Sequence, residues 1–173
     1  MKLYELVGKN TEQGFSPYVW RIRMALAHKG LEAEIVPLIF TEIASLTEVD
    51  AKTVPILEDE GKYIVDSWLI ACYMEQEYAD LPSLFGGEMG KAQANLFNYI
   101  TFYNLLVPLF PALVYDIFQV LDDRDRDYFR KTREARLGKS LEAAAEHQQE
   151  SVSHLRTQLW PYNAVLKNQD FFC

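Results

Sequence analysis

Three short motifs in the first half of the chain carry residue types that could do chemistry: Ser16-Pro17, Val54-Pro55 and Asp66-Ser67. A serine followed by a proline is typical of a helix start, with the serine at the N-cap and the proline in the first turn. A hydroxyl there lies among unpaired backbone N–H groups at the positive end of the helix dipole, where an anion is stabilised. Asp66-Ser67 is a capping pair that predicts a second helix start.

Each motif has an ordinary structural explanation when it is taken alone. A capping serine needs no further function, and a Val-Pro pair at the start of a strand is acceptable at a sheet edge. The order of the motifs favours a functional site, because 39 residues separate Ser16 from Pro55 and 11 separate Pro55 from Asp66 on one regular frame of elements.

That frame is an alternation of strands and helices in the first 78 residues. The pattern predicts strands over residues 2–6, 33–38, 54–59 and 63–65, helices over 16–30 and from 66 to about 78, and a weak helical turn over 41–46. The resulting order β-α-β-(α)-β-β-α indicates an α/β layer and not an all-β sandwich. The stretch 79–87, with Pro82 and Gly86-Gly87, is typical of a linker.

The second half of the chain predicts only helices. A long apolar-periodic stretch over residues 90–119 is expected to bend at Pro108 and Pro111. A charged turn over 121–127 and a short basic helix over 128–137 follow. The last predicted helix runs from Ser140 to about Lys167, with a kink at Pro161.

Composition narrows the classes of partner and environment. The 173 residues include 17 Lys and Arg against 25 Asp and Glu, and the net charge of -8 argues against nucleic acid or an anionic membrane as the main partner. Cys72 and Cys173 form neither a disulfide framework nor a metal pattern, so we expect no metal and a reducing, cytoplasmic environment. The longest apolar run, near residues 105–115, is interrupted by prolines and predicts no membrane span.

The three motifs on this frame resemble the thioredoxin-like domain of glutathione transferases. Residues 16–21 (SPYVWR), continued by 25–30 (ALAHKG), are similar to the bacterial lignin β-etherases and to fungal etherase-like, serine-type transferases. Residues 66–68 (DSW) and 128–138 extend the likeness into the helical half. The resemblance implies a thioredoxin-like glutathione-binding domain over 1–80, a linker over 81–88, an all-helical domain over 89–173, and a homodimer.

The resemblance also implies roles for the motif residues toward glutathione, the co-substrate. Ser16 is the expected catalytic residue, donating a hydrogen bond to the glutathione thiolate without itself ionising. Lowering the thiol pKa by about two units requires roughly 2.7 kcal/mol of preferential thiolate binding, which a charge-assisted hydrogen bond and a helix dipole can supply. Val54, before a cis Pro55, would pair with the cysteinyl backbone, while Asp66 and Ser67 would hold the γ-glutamyl group.

The second substrate is expected to be a hydrophobic aromatic electrophile. Aromatic residues form 13% of the chain, and Tyr99 and Tyr103 fall on one helix face four residues apart. With Tyr18 and Phe40 they are the predicted aromatic-binding residues, although packing in a helical core would explain any one of them. For an etherase, the thiolate would attack the carbon next to a ketone and expel a phenolate.

Two other functions stay open from the residues alone. One is a non-catalytic ligandin that binds aromatic metabolites, and the other is an inactive relative. Because members of the resembled family continue past the position of Phe171-Phe172, we also expect that this chain is truncated and that its C-terminal helical domain is incomplete.

Overall fold

The architecture is built on a four-stranded mixed sheet. A computed structural model describes residues 1–172 of the chain. The strands are β1 (Lys2–Leu6), β2 (Glu34–Leu38), β3 (Ile56–Asp59) and β4 (Lys62–Val65). Their order in the sheet is β2-β1-β3-β4, with β1 and β2 parallel and the other two pairs antiparallel. The predicted order of strands and helices along the chain and the predicted hairpin are therefore confirmed.

Three helices accompany the sheet: α1 (Pro17–Lys29), α2 (Phe40–Ile43) and α3 (Ser67–Glu77). Ser16 caps α1, and Gly30 ends it in the left-handed conformation with a φ of 70°, as its sequence predicts. The α2 helix begins one residue earlier than predicted and is shorter. The core of this region is apolar and fully buried, with Leu3, Ile22, Ile56, Leu57, Ile70 and Met74 at its centre.

Helices form the rest of the chain. They are α4 (Glu88–Thr101), a π-helical segment (Phe102–Leu106), α5 (Val107–Val120), α6 (Asp123–Leu137), α7 (Leu141–Ala145), α8 (Gln148–Gln158) and α9 (Trp160–Leu166). The π-helical segment immediately precedes Pro108, and Val107 N–H bonds to the Phe102 carbonyl five residues back. The proline thus falls where the hydrogen-bond register changes, and the helix continues through it.

Two predicted helix boundaries in this half were wrong. Residues 123–127 of the charged stretch predicted as a turn belong to α6. Asp122, immediately before the helix, accepts from Arg124 N–H through its side chain and from Asp125 N–H through its carbonyl. The single helix predicted over 140–167 is three separate helices. Pro161 lies in the first turn of α9, where its missing N–H is tolerated, and not at a kink within a longer helix.

The uninterrupted helical run Glu88–Val120 has 33 residues and contains an 18-residue window with a mean hydropathy of 1.5. By length and composition it could cross a membrane, so the argument that no apolar run is long enough was wrong. The prediction failed because it treated Pro108 and Pro111 as helix breaks. Core helices of helical bundles meet the same criterion of length and composition.

The chain divides into two compact units, and each unit is made of two separate segments of the sequence. The first unit comprises Met1–Ala94 together with Val120–Phe129, and the second comprises Asn95–Gln119 and the chain from Arg130 onward. The first unit contains the sheet, and the second is entirely helical over its described residues. The predicted domains over 1–80 and 89–173, with a linker over 81–88, remain predictions about sequence domains.

Candidate active site at one edge of the sheet

Sheet topology brings the three sequence motifs to the same edge. Strands β1 and β3 run antiparallel with Tyr4 opposite Ile56, and β3 and β4 pair with Ile56 opposite Val65. The end of β1, the start of β3 and the end of β4 therefore share one edge. Two backbone hydrogen bonds extend this arrangement into the motifs, from Phe15 N–H to the Leu6 carbonyl (3.3 Å) and from Asp66 N–H to the Pro55 carbonyl (3.4 Å).

Ser16 is the N-cap of α1 and is only 6% exposed. Its Oγ accepts a hydrogen bond from Val19 N–H at 3.4 Å. Within residues 1–172 its hydroxyl proton is not donated to any protein acceptor. The capping role and a role as donor toward a bound anion are therefore compatible, because they use different parts of the same hydroxyl.

The loop before Ser16 is held by contacts on both sides. The Nε1–H of Trp20 donates to the Gly14 carbonyl oxygen at 3.0 Å, although half of the Trp20 surface is exposed. A Cβ on Gly14 would lie 1.9 Å from Oε1 of Glu5, so this position has no room for a side chain. The buried Glu5 carboxylate in turn forms an ion pair with Arg23 of α1. These contacts fix the entry of the chain into α1.

The Val54-Pro55 peptide bond is cis, as the resemblance implied. Val54 and Pro55 are both buried and lead directly into β3. The predicted pairing of the Val54 backbone with a ligand stays a prediction.

Asp66 has an unusual backbone conformation for a residue with a side chain, with a φ of 84° and a ψ of 130°. Its Oδ1 caps α3 by accepting from Trp68 N–H (2.8 Å) and Leu69 N–H (3.1 Å). Ser67 is buried beside it, and among the described residues its hydroxyl has no hydrogen-bond partner. Positive φ at a non-glycine residue costs on the order of 1–3 kcal/mol and is concentrated at ligand-binding segments.

The four predicted aromatic-binding residues fall in different compact units. Tyr18 is half-buried in the first unit, with the Arg21 guanidinium 5.0 Å from its ring centre. Phe40 also lies in the first unit and packs against other rings. Tyr99 and Tyr103 belong to the second unit, where they are 57% and 62% exposed. Their exposure does not fit the alternative that they are helix-core residues.

The residues that the sequence did not single out are mostly buried charges. Asp125 is fully buried and binds the start of α2. Lys29, equally buried, donates to the Tyr78 and Pro82 carbonyls and pairs with Glu75 at 3.2 Å. No local pattern in the sequence indicates these contacts, because the partners lie far away along the chain.

Glu75 illustrates the electrostatics of this buried cluster. Burial raises the pKa of its carboxyl, but hydrogen bonds from the Ser83 hydroxyl and Leu84 N–H, together with Lys29, lower the pKa to about 2. The carboxylate thereby fastens residues 83–84 to α3. Elsewhere in the described chain, no group of three or more His, Cys, Asp or Glu side chains could hold a metal ion.

Comparison with known proteins identifies the fold as that of one superfamily. Residues 15–77 match a family model described as the glutathione S-transferase N-terminal domain, and residues 92–173 match one described as the glutathione S-transferase C-terminal domain. The chain is 27% identical over 164 residues to the glutathione S-transferase-like protein ustS of Aspergillus flavus, covering 82% of this chain and 57% of that protein. It thus spans little more than half the length of that curated relative.

Solved structures give the same assignment. Glutathione transferase GSTFuA3 from Phanerochaete chrysosporium has a TM-score of 0.84 at 26% identity, covering 95% of this chain and 71% of that one. CsGST63524 of Ceriporiopsis subvermispora, solved in complex with glutathione, has a TM-score of 0.86 at 23% identity, covering 97% and 74%. The predicted fold class, a thioredoxin-like α/β region followed by a helical region, is confirmed.

The chain belongs to the glutathione transferase superfamily. The predicted placement in its etherase-like branch stays a prediction.

Proposed function

We propose that the protein is a serine-type glutathione transferase that conjugates glutathione to hydrophobic aromatic electrophiles. The observation that carries the proposal is the convergence of Ser16, the cis Val54-Pro55 pair and Asp66-Ser67 at one sheet edge. Two helix N-termini, those of α1 and α3, begin there. Such an edge can hold an anionic thiolate and a carboxylate at separate positions.

In this mechanism Ser16 acts on the sulfur of the co-substrate. Its hydroxyl donates to the glutathione thiolate while its Oγ continues to accept from Val19 N–H. This interaction favours the ionised thiol, which is the nucleophile. The Val54 backbone pairs with the cysteinyl unit, and Ser67 with the N–H groups at the start of α3 holds the γ-glutamyl carboxylate. The remaining Asp66 oxygen, Oδ2, receives the γ-glutamyl ammonium.

The second substrate is an aromatic compound with an electrophilic carbon, and a β-aryl ether ketone is the specific candidate. The thiolate forms a C–S bond at the carbon next to the ketone, the C–O bond breaks, and the leaving phenolate takes a proton from water. Tyr18 and Phe40 are the proposed contacts for the aromatic ring in the first unit. The contributions of Tyr99 and Tyr103 stay predictions, as do a homodimeric assembly and a cytoplasmic location.

The first test is a calorimetric titration of the purified chain with reduced glutathione, followed by an assay for phenol release from a β-aryl ether ketone. We expect saturable binding at one site per chain and glutathione-dependent release of phenol. A folded chain that does not bind glutathione would contradict the transferase assignment. Binding and conjugation of other aromatic electrophiles without phenol release would contradict only the etherase part.

The role of Ser16 is tested against a matched capping serine. Ser140 caps α7 with the same geometry, its Oγ accepting from Ala143 N–H at 3.1 Å. We expect Ser16→Ala to lower turnover about hundredfold, the equivalent of two units of thiol pKa, with only modest weakening of glutathione binding. Ser140→Ala should leave both unchanged. Equal losses of turnover and glutathione affinity in Ser16→Ala would contradict the proposed role.

A second candidate function rests on the exposure of Tyr99 and Tyr103. Aromatic side chains on a helix surface favour a ligandin that binds aromatic metabolites without converting them. Saturable binding of polyphenols that Tyr99→Ala or Tyr103→Ala weakens, with no glutathione-dependent product, would support this function over the transferase.

A further inference from the structure

The segment Val120–Phe129 belongs to the compact unit that contains the sheet, although it lies in the helical half of the sequence. Lys9 N–H donates to the Val120 carbonyl at 2.9 Å, and the Lys9 side chain pairs with Asp123 at 3.0 Å. Gly8 allows this approach, because a Cβ there would lie 2.0 Å from the Val120 carbonyl oxygen. The segment is thus packed directly on the loop that leads from β1 toward Ser16.

Asp125 makes the most specific contact of this segment. Its carboxylate accepts three hydrogen bonds, from Phe40 N–H at 2.6 Å to Oδ2, and from Thr41 N–H and Thr41 Oγ1–H, each at 2.9 Å, to Oδ1. The side chain is fully buried, and within residues 1–172 it forms no ion pair. All three of these hydrogen bonds come from the first two residues of α2.

This arrangement replaces a local helix cap. The N-cap residue of α2 is Ile39, whose side chain has no acceptor for the first N–H groups of the helix. Asp125 supplies that acceptor from 84 residues away along the chain. An exposed ion pair between Arg124 and Glu42 of α2 lies beside it. The position of α2 is consequently determined by α6.

The side chain that this contact orients is the ring of Phe40. The ring centre of Phe40 lies 5.5 Å from that of Phe129 and 6.4 Å from that of Tyr128, both on α6. On its other side it lies 6.3 Å from Phe15, the residue immediately before Ser16. A continuous path of contacts therefore runs from the Asp125 carboxylate through Phe40 and Phe15 to Ser16.

We infer that Asp125 is a positioning residue for the aromatic substrate, holding the Phe40 ring in the orientation that receives that substrate beside Ser16. The inference rests on the proposed function, because it assigns Phe40 to the same site. Asp125 does not touch the reacting atoms. Its loss should therefore weaken the interaction with the aromatic group and leave glutathione binding and thiol activation largely unchanged.

The test compares glutathione with S-dinitrophenyl-glutathione, the thioether in which the aromatic group replaces the thiol proton. The Kd of glutathione divided by the Kd of S-dinitrophenyl-glutathione, both measured by calorimetry, reports the contribution of the ring. This ratio does not require turnover. In Asp125→Asn an amide N–H₂ takes the place of one carboxylate oxygen. In one orientation of the amide, Phe40 N–H loses its acceptor; in the other, Thr41 N–H loses its acceptor. We expect this variant to lower the ratio about tenfold, within the range of an aromatic contact, while the Kd for glutathione changes less than about twofold.

Asp123→Asn is the matched control, because Asp123 is an exposed carboxylate on the same helix, and among residues 1–172 its ion pair is with Lys9. It should leave the ratio unchanged. Phe40→Leu keeps the backbone N–H groups and removes the ring, and it should lower the ratio as much as Asp125→Asn. The double variant should show no further decrease, because both changes act through the same ring.

Several outcomes would overturn the inference. A ratio unchanged in Asp125→Asn, or effects of Asp125→Asn and Phe40→Leu that multiply in the double variant, would show that Asp125 does not act through Phe40. If Asp125→Asn does not fold, Thr41→Val decides, because it removes one of the three hydrogen bonds and should lower the ratio in the same direction. Wild-type chain that binds glutathione but conjugates chlorodinitrobenzene at no measurable rate would overturn the proposed transferase activity, while the Kd ratio would still decide the role of Asp125.

Discussion

The two compact units of this chain bury their apolar side chains to very different degrees. In the first unit the sheet and its helices enclose a continuous core of fully buried aliphatic residues. In the second unit the buried apolar side chains are few, and no residue of α8 or α9 is buried. Large apolar side chains such as Leu96 and Trp160 are exposed there. The sheet and the helices packed on it bury their apolar side chains within the first unit. The helices of the second unit leave many of their apolar side chains exposed.

The same contrast holds for charged groups. Lys29 in the first unit is fully buried and saturated with carbonyl and carboxylate acceptors. Arg130 in the second unit makes a comparable number of contacts, to Glu134 and Glu142, but its side chain remains 36% exposed. The fold of the first unit therefore depends on its buried ions more strongly than the second unit depends on its surface network.

The largest expected effect comes from the buried cation. Lys29→Met removes the buried cation that pairs with Glu75 and donates to two backbone carbonyls, which should lower the free energy of unfolding by about 3–5 kcal/mol. Arg130→Met breaks ion pairs of partly exposed side chains and should cost about 0–1 kcal/mol. Urea unfolding followed by circular dichroism measures both. Equal costs for the two variants would contradict the comparison between the units.

A pair of leucine truncations sharpens the comparison of the apolar cores. Leu57 of β3 is fully buried, and Leu57→Ala should lower the free energy of unfolding by about 2–5 kcal/mol through lost transfer energy and a cavity. Leu96 of α4 is 62% exposed, and Leu96→Ala should change the free energy of unfolding by no more than about 0.5 kcal/mol. A large loss of stability from Leu96→Ala would show that this face is covered in solution.

The carboxylates that pair with these cations predict a difference in acid stability. The pKa of Glu75 is lowered to about 2 in the folded chain, from 4.5 for an unperturbed glutamate. The stabilisation by its charge is therefore complete above pH 4.5 and is lost as the pH falls through about 2. Between pH 4.5 and about 2, the urea midpoint of Glu75→Gln should therefore fall less steeply than that of the wild type.

Glu142 provides the corresponding control in the second unit. Its hydrogen bonds to Arg130 lower its pKa to about 2 as well, but about half of its side chain is exposed. Solvent screening should make the pH profile of Glu142→Gln closer to that of the wild type than the profile of Glu75→Gln is. If Glu142→Gln changed the pH profile more than Glu75→Gln does, the stronger charge network would lie in the second unit, contrary to this comparison.

A modest effect on stability is expected at each of the two capping serines. Ser16→Ala and Ser140→Ala each remove one hydrogen bond to an otherwise unpaired helix N–H, and each should cost about 1 kcal/mol. Thermal unfolding of the two variants measures this cost. Similar stability with different turnover would separate the structural part of the Ser16 hydroxyl from its proposed chemical part. A much larger loss of stability at Ser16 would instead indicate a mainly structural role.

Local signals in the sequence were sufficient for most of the first unit. The Ser16-Pro17 start of α1, its end at Gly30 and the cap of α3 at Asp66 were all predicted, because capping depends on residues within one turn of each other. The α/β class followed from the alternation of strands and helices. The helical half was predicted less well, since the three helices over 141–166 are separated without glycine or proline at the first break.

Local sequence patterns are therefore enough to predict the elements of the first unit and to place Ser16, Pro55 and Asp66 at their ends. Tertiary structure alone decided that these ends meet at one sheet edge, that Lys29 is buried, and that Asp125 caps a helix far from it along the chain. The physical reason is the range of the interactions. Caps and turns form between near neighbours and leave a local pattern, whereas a buried charge finds its partners only when distant segments pack together.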